Sequence, residues 1–323
     1  MVGGPNLYNR SIVSVIIPAY NVGGLLATSV RSALSQTETD IEVVIVDDCS
    51  TDTTLEIAHA IADKDQRVRV LANDENVGPG ESRNRAIDAA RGQWVAVLDA
   101  DDAWVPERLE RLSPLLPEAD VVTDDIVIEE AGKRTRRLLA SHGVRTTEPF
   151  PLRPADLARH GLGLLKPVFR RTFVRDHGIR YDGSLPVGSD FCFFVDLALA
   201  GARWIQVPDA YYIYRRRADS VTGDRREHLQ GRLASDSLLL ARPGVQADAE
   251  LRGLLEDRVG WLRDLDRLLE AHERGWPALA RALVADPGLA RTGARHGYHV
   301  LRRRVRAARG RRAGQPARRA GAS

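Results

Sequence analysis

Five short apolar runs alternate with stretches of helical periodicity between residues 13 and 127, and this alternation constrains the fold more than any other feature of the chain. Runs at 13–17, 41–46, 68–71, 94–98 and 121–127 read as strands, rich in Val and Ile. Between them, 24–36, 53–63 and 80–91 carry apolar residues at helical spacing, and a shorter helix is expected after Pro106. Strands and helices alternating at this spacing predict βαβ units and a Rossmann-like, mostly parallel sheet flanked by helices. The expected class is therefore α/β. Such sheets hold ligands beyond the carboxyl ends of their strands, so the residues just after each run are the candidates for function.

The remaining chain departs from this pattern. From 129 to 165 Gly, Pro and Arg are prominent, which suggests a hairpin and loops; 166–170 reads as a strand, 188–200 as a helix and 204–214 as a strand pair. Residues 225–285 have helical apolar spacing, including Leu251, Leu254, Leu255, Val259, Leu262 and Leu265. The expected organisation is an α/β domain over 1–222, a C-terminal helical appendage over 223–300 and an arginine-rich tail over 301–323.

Composition narrows the function classes. The net charge of +3 hides an asymmetry: residues 302–323 hold nine arginines and no acid, so the remainder stands at −6. A nucleic-acid-binding body would carry its basic footprint on the fold itself, and no nucleic-acid partner is expected. Cys49 and Cys192 have no metal-type spacing, which fits a reducing compartment. No run reaches the roughly 20 apolar residues of a membrane span, and the expectation is a cytoplasmic protein. The basic tail fits peripheral contact with an anionic membrane surface; a tail whose arginines reflect codon usage is the alternative. The helices at 225–285 offer a route to homo-oligomers.

Each strand is followed by chemistry. The first leads into Pro18-Ala19-Tyr20-Asn21, where tyrosine offers a flat face for a base. After the second comes Asp47-Asp48-Cys49-Ser50-Thr51-Asp52; Asp52 or Ser50 suits a helix cap, and the paired carboxylates suit either capping or a hydrogen bond from a base imide. The third precedes Asn76-Val77-Gly78-Pro79-Gly80, with Arg83 expected in the first turn of a helix, where a cation is misplaced unless an anion such as a diphosphate sits beside it. The fourth runs into Asp99-Ala100-Asp101-Asp102. Carboxylates this crowded repel one another unless a cation joins them, and an oxygen-only set in a loop suits Mg²⁺ or Mn²⁺.

Taken together, SVIIPAYN, VVIVDDCSTD, ENVGPGESRNRA and VAVLDADD resemble, in order and spacing, the inverting nucleotide-diphospho-sugar glycosyltransferases of family two, which have the GT-A fold. The resemblance covers about residues 11–220. It implies a UDP-sugar or similar donor, with Pro18, Ala19 and Tyr20 lining the nucleoside pocket, Asp48 pairing with the base and Arg83 facing the pyrophosphate. In its DxD motif, Asp99 would reach the ribose, and Asp101 and Asp102 would hold the metal, which of them directly being open. The segment LKPVFRRTFVRDHGIRYDGSLPVGSDFCFF resembles the family's acceptor side, which usually ends in a Glu-Asp pair. Here the pair is Ser189-Asp190, and Asp190 falls at the family's general base. YYIYRRRADSVT resembles the closing segment over the diphosphate, with Arg217 and Ser220 as candidates among Arg215, Arg216 and Arg217. Trp104 suits either an acceptor-pocket wall or core packing.

The expected activity is metal-dependent transfer of a sugar from a UDP-sugar to a hydroxyl of a glycan or lipid-linked acceptor. A sugar-phosphate nucleotidyltransferase would want a basic glycine-rich loop where PAYNVGG has no Lys or Arg. A non-catalytic nucleotide-sugar-binding protein would bind UDP without turnover.

Overall fold

The computed structural model describes residues 13–130, 132–216, 225–286, 288, 289 and 292. Its first half follows the alternation seen in the sequence: β1 (Val13–Ala19), α1 (Gly23–Leu34), β2 (Ile41–Asp47), α2 (Thr54–Ala62), β3 (Val68–Ala72), α3 (Gly78–Ala89) and β4 (Trp94–Val97). β2 is buried along its whole length, as a strand covered on both faces must be. In α1 the buried Leu26, Val30 and Ala33 form one face at i, i+4 and i+7.

These four strands pair in parallel in the order β3-β2-β1-β4. After β3 the chain crosses to the far side of β1, so the strand order reverses between β1 and β4. That reversal opens a crevice at their carboxyl ends, where α/β sheets take ligands.

The second half contributes β5 (Ala103–Trp104), α4 (Arg108–Leu112), a 3-10 turn (Ser113–Glu118), β6 (Val121–Glu130), β7 (Lys133–Arg137), α5 (Leu138–Ser141), β8 (Phe150–Pro151), α6 (Pro154–His160), β9 (Val168–Arg170), α7 (Arg171–Asp176), α8 (Ser189–Leu199) and β10 (Trp204–Arg216). The sheet continues from β4 as β9-β6-β10-β5. β9 is antiparallel to both β4 and β6. Its entry, Lys166-Pro167, therefore lies at the carboxyl end of β4, where the Val97 N–H donates to the Pro167 carbonyl at 3.2 Å.

Two expectations change here. Residues 204–214 form one continuous strand rather than a pair; its register against β6 shifts between Gln206 and Ala210, around Pro208, which has no N–H for the ladder. The 129–165 stretch holds the expected hairpin, β6–β7, but also α6, with Pro154 in its first turn, an Arg153/Asp156 capping box and Gly161 at φ 59° ending it. So short a helix, bounded by Pro and Gly, leaves too little periodicity to read.

Helices α9 (Arg225–Leu240), α10 (Pro243–Ala247), α11 (Ala249–Glu273) and α12 (Trp276–Ala285) follow. The chain divides into two compact units, Met1–Leu255 and Glu256–Ser323. In the first unit α9 packs on α8, with the Cys192 thiol 3.8 Å from the Ser235 carbonyl oxygen. In the second unit Arg267 pairs with Asp286 at 3.1 Å. No described helix is long and apolar enough to cross a membrane. The tail at 301–323 lies outside the described residues.

Candidate active site

Asp99 emerges at the crevice two residues past β4. Its backbone is held on both sides: the Ser29 hydroxyl donates to its carbonyl at 2.9 Å, and its own N–H donates to the Tyr212 hydroxyl at 3.1 Å. Asp190 arrives from the other half of the chain, in the first turn of α8, where the helix dipole favours a carboxylate. Gly188, at φ 90°, turns the chain into that helix. Rather than capping α8, Asp190 reaches two cations.

Those cations also hold Asp99. Arg83 places Nη2 2.7 Å from Asp99 Oδ1 and Nη1 2.9 Å from Asp190 Oδ1. Lys166 places Nζ 2.7 Å from Asp99 Oδ2 and 3.2 Å from Asp190 Oδ2. Two carboxylates and two cations thus close an alternating, neutral ring. Its cations are buried while each carboxylate side chain keeps 22% exposure. Asp190 Oδ1 meets Arg83 as an off-axis ion pair, not an aligned hydrogen bond.

Burial alone would discharge these groups. For Lys166 and Arg83 it acts to lower the pKa, but Asp190 and Asp99 outweigh it and hold both cations raised. For Asp99 it acts upward, and Lys166 and Arg83 outweigh it, holding the carboxyl well below its ordinary value. The charges of Arg83, Lys166 and Asp99 survive burial because their opposites lie within contact.

The start of α3 moves Arg83 from its expected place. Because α3 begins at Gly78 rather than near Gly80, Arg83 stands in the second turn, and its charge is answered by two carboxylates inside the protein. A neighbouring residue, Asn84, locks α3 to the acceptor-side segment through paired 2.9 Å bonds with the Tyr181 backbone.

The other expected site residues separate into two groups. Pro18, Ala19 and Tyr20 end β1 at the crevice, with Tyr20 exposed. Beside them Asp52, one residue before the N-cap Thr53, accepts from the Thr54 N–H at the start of α2 and from the Gly23 N–H. Asp48 is different: Oδ1 accepts from Asn73 Nδ2 at 2.7 Å and the Val77 N–H at 3.0 Å, and Oδ2 accepts from the Gly78 N–H at 2.8 Å. It is a buried carboxylate that holds the start of α3, because the end of β2 aims it at the unpaired amides of that helix.

Asp102 is also claimed from inside. It is fully buried, and its oxygens accept from the Tyr212 hydroxyl at 2.7 Å and the Arg215 N–H at 2.9 Å. Burial, followed by the charges of Asp99 and Asp101, raises its pKa. Asp101, next to it in the chain, is half-buried. No group of three or more His, Cys, Asp or Glu side chains gathers for a metal among the described residues.

Arg215 and Arg216 pair along the sheet with Glu129 and Glu130 at 3.6 and 3.1 Å. Arg217 and Ser220 lie outside the described residues. Trp104 is buried with Arg108 over its ring, 4.4 Å from the centroid, which makes it core. Ser189, standing where the family carries Glu, points away from the ring and donates to the Asp182 carbonyl at 3.0 Å.

Lys166 escaped the sequence reading altogether. The signal available was its rarity, since the chain has only three lysines.

Comparison with known proteins shows the family and the fold. A family model, Glycosyl transferase family 2, matches residues 14–172. The succinoglycan biosynthesis protein ExoO of Rhizobium meliloti (strain 1021) is 33% identical over 291 residues, which is 85% of this chain and 82% of ExoO. WfaP of Escherichia coli, a UDP-Glc:alpha-D-GlcNAc-diphosphoundecaprenol beta-1,3-glucosyltransferase, is 29% identical over 220 residues, 68% of this chain and 82% of that protein. Among solved structures, residues 1–349 of TarS from S. aureus in complex with UDP superpose with TM-score 0.59 at 25% identity, covering 80% of this chain and 74% of that one. A mannosyltransferase from Pyrobaculum calidifontis, in complex with GDP-Man and Mn²⁺, has the same fold with TM-score 0.57 at 20% identity, covering 92% and 83%.

Proposed function

From the premise that this chain belongs to glycosyl transferase family 2, and so is a glycosyltransferase, we propose that it moves a sugar from a UDP-sugar to a hydroxyl of a glycan or lipid-linked acceptor, inverting the anomeric centre. The setting would be synthesis of a polysaccharide or cell-envelope glycan, as the names of ExoO and WfaP indicate for those relatives. The observation that carries the reading is the joining of Asp190 and Asp99 through Arg83. It brings an acceptor-side carboxylate to the carboxyl end of β4, beside the carboxylate assigned to the donor.

In this mechanism Asp190 accepts the proton of the acceptor hydroxyl as that oxygen attacks the anomeric carbon. The new C–O bond forms while the bond to the diphosphate oxygen breaks, and UDP leaves with the electron pair. One displacement inverts the centre, so an α-linked donor gives a β product. Asp99 orients the donor ribose through its exposed edge, and Tyr20 stacks on the base. Asp101 would hold Mg²⁺ or Mn²⁺, which supplies positive charge against the leaving diphosphate.

For the acceptor's location we propose peripheral contact with an anionic membrane. In α12, Trp276, Ala280 and Val284 are exposed at i, i+4 and i+8, and the sequence continues into the arginines of 302–323. Apolar residues on one helix face, followed in sequence by dense positive charge, suit an interfacial helix.

A thermal-shift screen of nucleotide-sugars with and without Mn²⁺ tests the donor and the metal together. Stabilisation by a UDP-sugar that depends on Mn²⁺ is expected, about 2.7 kcal/mol at a hundredfold excess over Kd. Stabilisation only by GDP- or dTDP-sugars, or none that responds to metal, would contradict the reading.

A further inference from the structure

Lys166 occupies a position that neither its strand nor its solvent contact explains. It precedes β9, is 3% exposed and directs its ammonium to two carboxylates from opposite halves of the chain. Its backbone is fixed from two directions. Pro167 is in register with β4 through the Val97 N–H, and the Lys166 carbonyl accepts from Arg108 Nη2 at 2.6 Å. Arg108 is itself fully buried and held by Asp124 Oδ1 through Nε at 3.0 Å and Nη2 at 2.8 Å. The place of Nζ is thus set by the sheet and by a buried ion pair.

We infer that Lys166 is a positioning residue of the reaction centre: as the second cation of the ring, it fixes Asp190 against Asp99 and so sets where the acceptor hydroxyl stands relative to the donor. Arg83 alone leaves the two carboxylates free to swing about a single guanidinium. A second bridge through the opposite oxygens of both removes that freedom. Without Lys166, two carboxylates face one cation, and their repulsion moves Asp190 off its line of attack. Misplacement by about 1 Å is enough to slow an oriented reaction by roughly 100-fold. The inference rests on Asp190 being the base.

The test compares Lys166→Met, Lys166→Arg, Asp190→Asn and the double variant Lys166→Met/Asp190→Asn. UDP affinity is measured by calorimetry and turnover by UDP release from UDP-glucose and UDP-N-acetylglucosamine, with thermal midpoints followed throughout. Expected for Lys166→Met is a loss of turnover of about 100-fold with UDP affinity within about threefold of the parent. Lys166→Arg, which retains the charge, should recover at least tenfold of that loss, and in the Asp190→Asn background Lys166→Met should add less than about threefold, since positioning an absent base has no effect. Turnover of Lys166→Met near the parent's, or a loss of UDP affinity matching the loss of turnover, overturns the inference. If Asp190→Asn itself stays fully active, the assignment of the base has failed instead. Should Lys166→Met not fold, Lys166→Gln, which keeps a donor without the charge, carries the same expectations.

Discussion

Arg83 spans Asp99 and Asp190, with Nη2 2.7 Å from the first and Nη1 2.9 Å from the second. A residue of α3 thereby ties the strand end assigned to the donor to the helix end assigned to the acceptor. Arg83→Lys cannot reproduce the fork, because an ammonium is a single point of charge. Turnover should fall by about 100-fold. Arg83→Met should in addition destabilise by about 3 kcal/mol, as breaking a buried pair does. Chemical denaturation alongside UDP-release kinetics checks both; a variant of either kind with parental turnover would contradict the bridging role.

Asp101 and Asp102 should behave oppositely. Asp101→Ala is expected to abolish the Mn²⁺-dependent gain in UDP affinity. Asp102→Asn should keep that gain but lose stability by about 1–3 kcal/mol, since its amide nitrogen would oppose either the Tyr212 hydroxyl or the Arg215 N–H, both now donors. Calorimetry of UDP with and without Mn²⁺ separates the two, and loss of the metal effect in Asp102→Asn would reverse the assignment.

At the entrance to α8, Gly188 stands at φ 90°, and a Cβ there would lie 2.6 Å from Ser235 Cβ. Gly188→Ala should cost about 1–2 kcal/mol from the left-handed backbone alone, with more from the collision. Because Asp190 lies two residues on, turnover should fall as well. Adding Ser235→Gly should recover part of both losses; no recovery in the double variant would argue that the collision is irrelevant.

Much of this was legible in the sequence, and the reasons differ by element. The parallel half was readable because β1, β2 and β4 are buried on both faces, so their apolar runs end where the strands end. Asp99, Asp101 and Asp190 stand out as candidates because carboxylates at such positions call for an explanation, and the motif supplies one for each. The ring was not legible. Arg83 contacts Asp190, and Lys166 contacts Asp99, across separations that no local period encodes, and placing the start of α3 at Gly80 instead of Gly78 made Arg83 look like a first-turn cation awaiting an anion. The partners of Asp48 and Asp102 were hidden for a related reason: the amides and hydroxyl that donate to them come from the start of α3 and from β10.

Stability in acid should depend visibly on Glu42. Burial acts to raise its pKa, but bonds from the Ser14 hydroxyl, the Arg91 N–H and Arg69 hold it below the ordinary value. A carboxyl depressed in the folded state stabilises above its unfolded pKa, about 4.3, and that stability is lost as pH falls through the folded value. Glu42→Gln should therefore have a lower thermal midpoint than the parent at pH 7, with the gap narrowing below about pH 4. A gap that stays constant or widens in acid would contradict the assignment.

Membrane contact through α12 predicts that the full chain co-sediments with vesicles containing phosphatidylserine and not with neutral phosphatidylcholine vesicles. Trp276→Ser/Val284→Ser should weaken that binding by several-fold, and raising the salt should weaken it further. Equal partitioning of parent and variant would exclude a role for this face.

The account as a whole turns on Asp190 as the base. Asp190→Asn keeps the shape of the side chain and removes the charge that accepts the proton, so UDP release from the UDP-sugar selected by thermal shift should fall by about 10²–10⁴-fold while UDP affinity stays within about threefold of the parent. Turnover within fivefold of the parent in a folded, UDP-binding Asp190→Asn protein would contradict it.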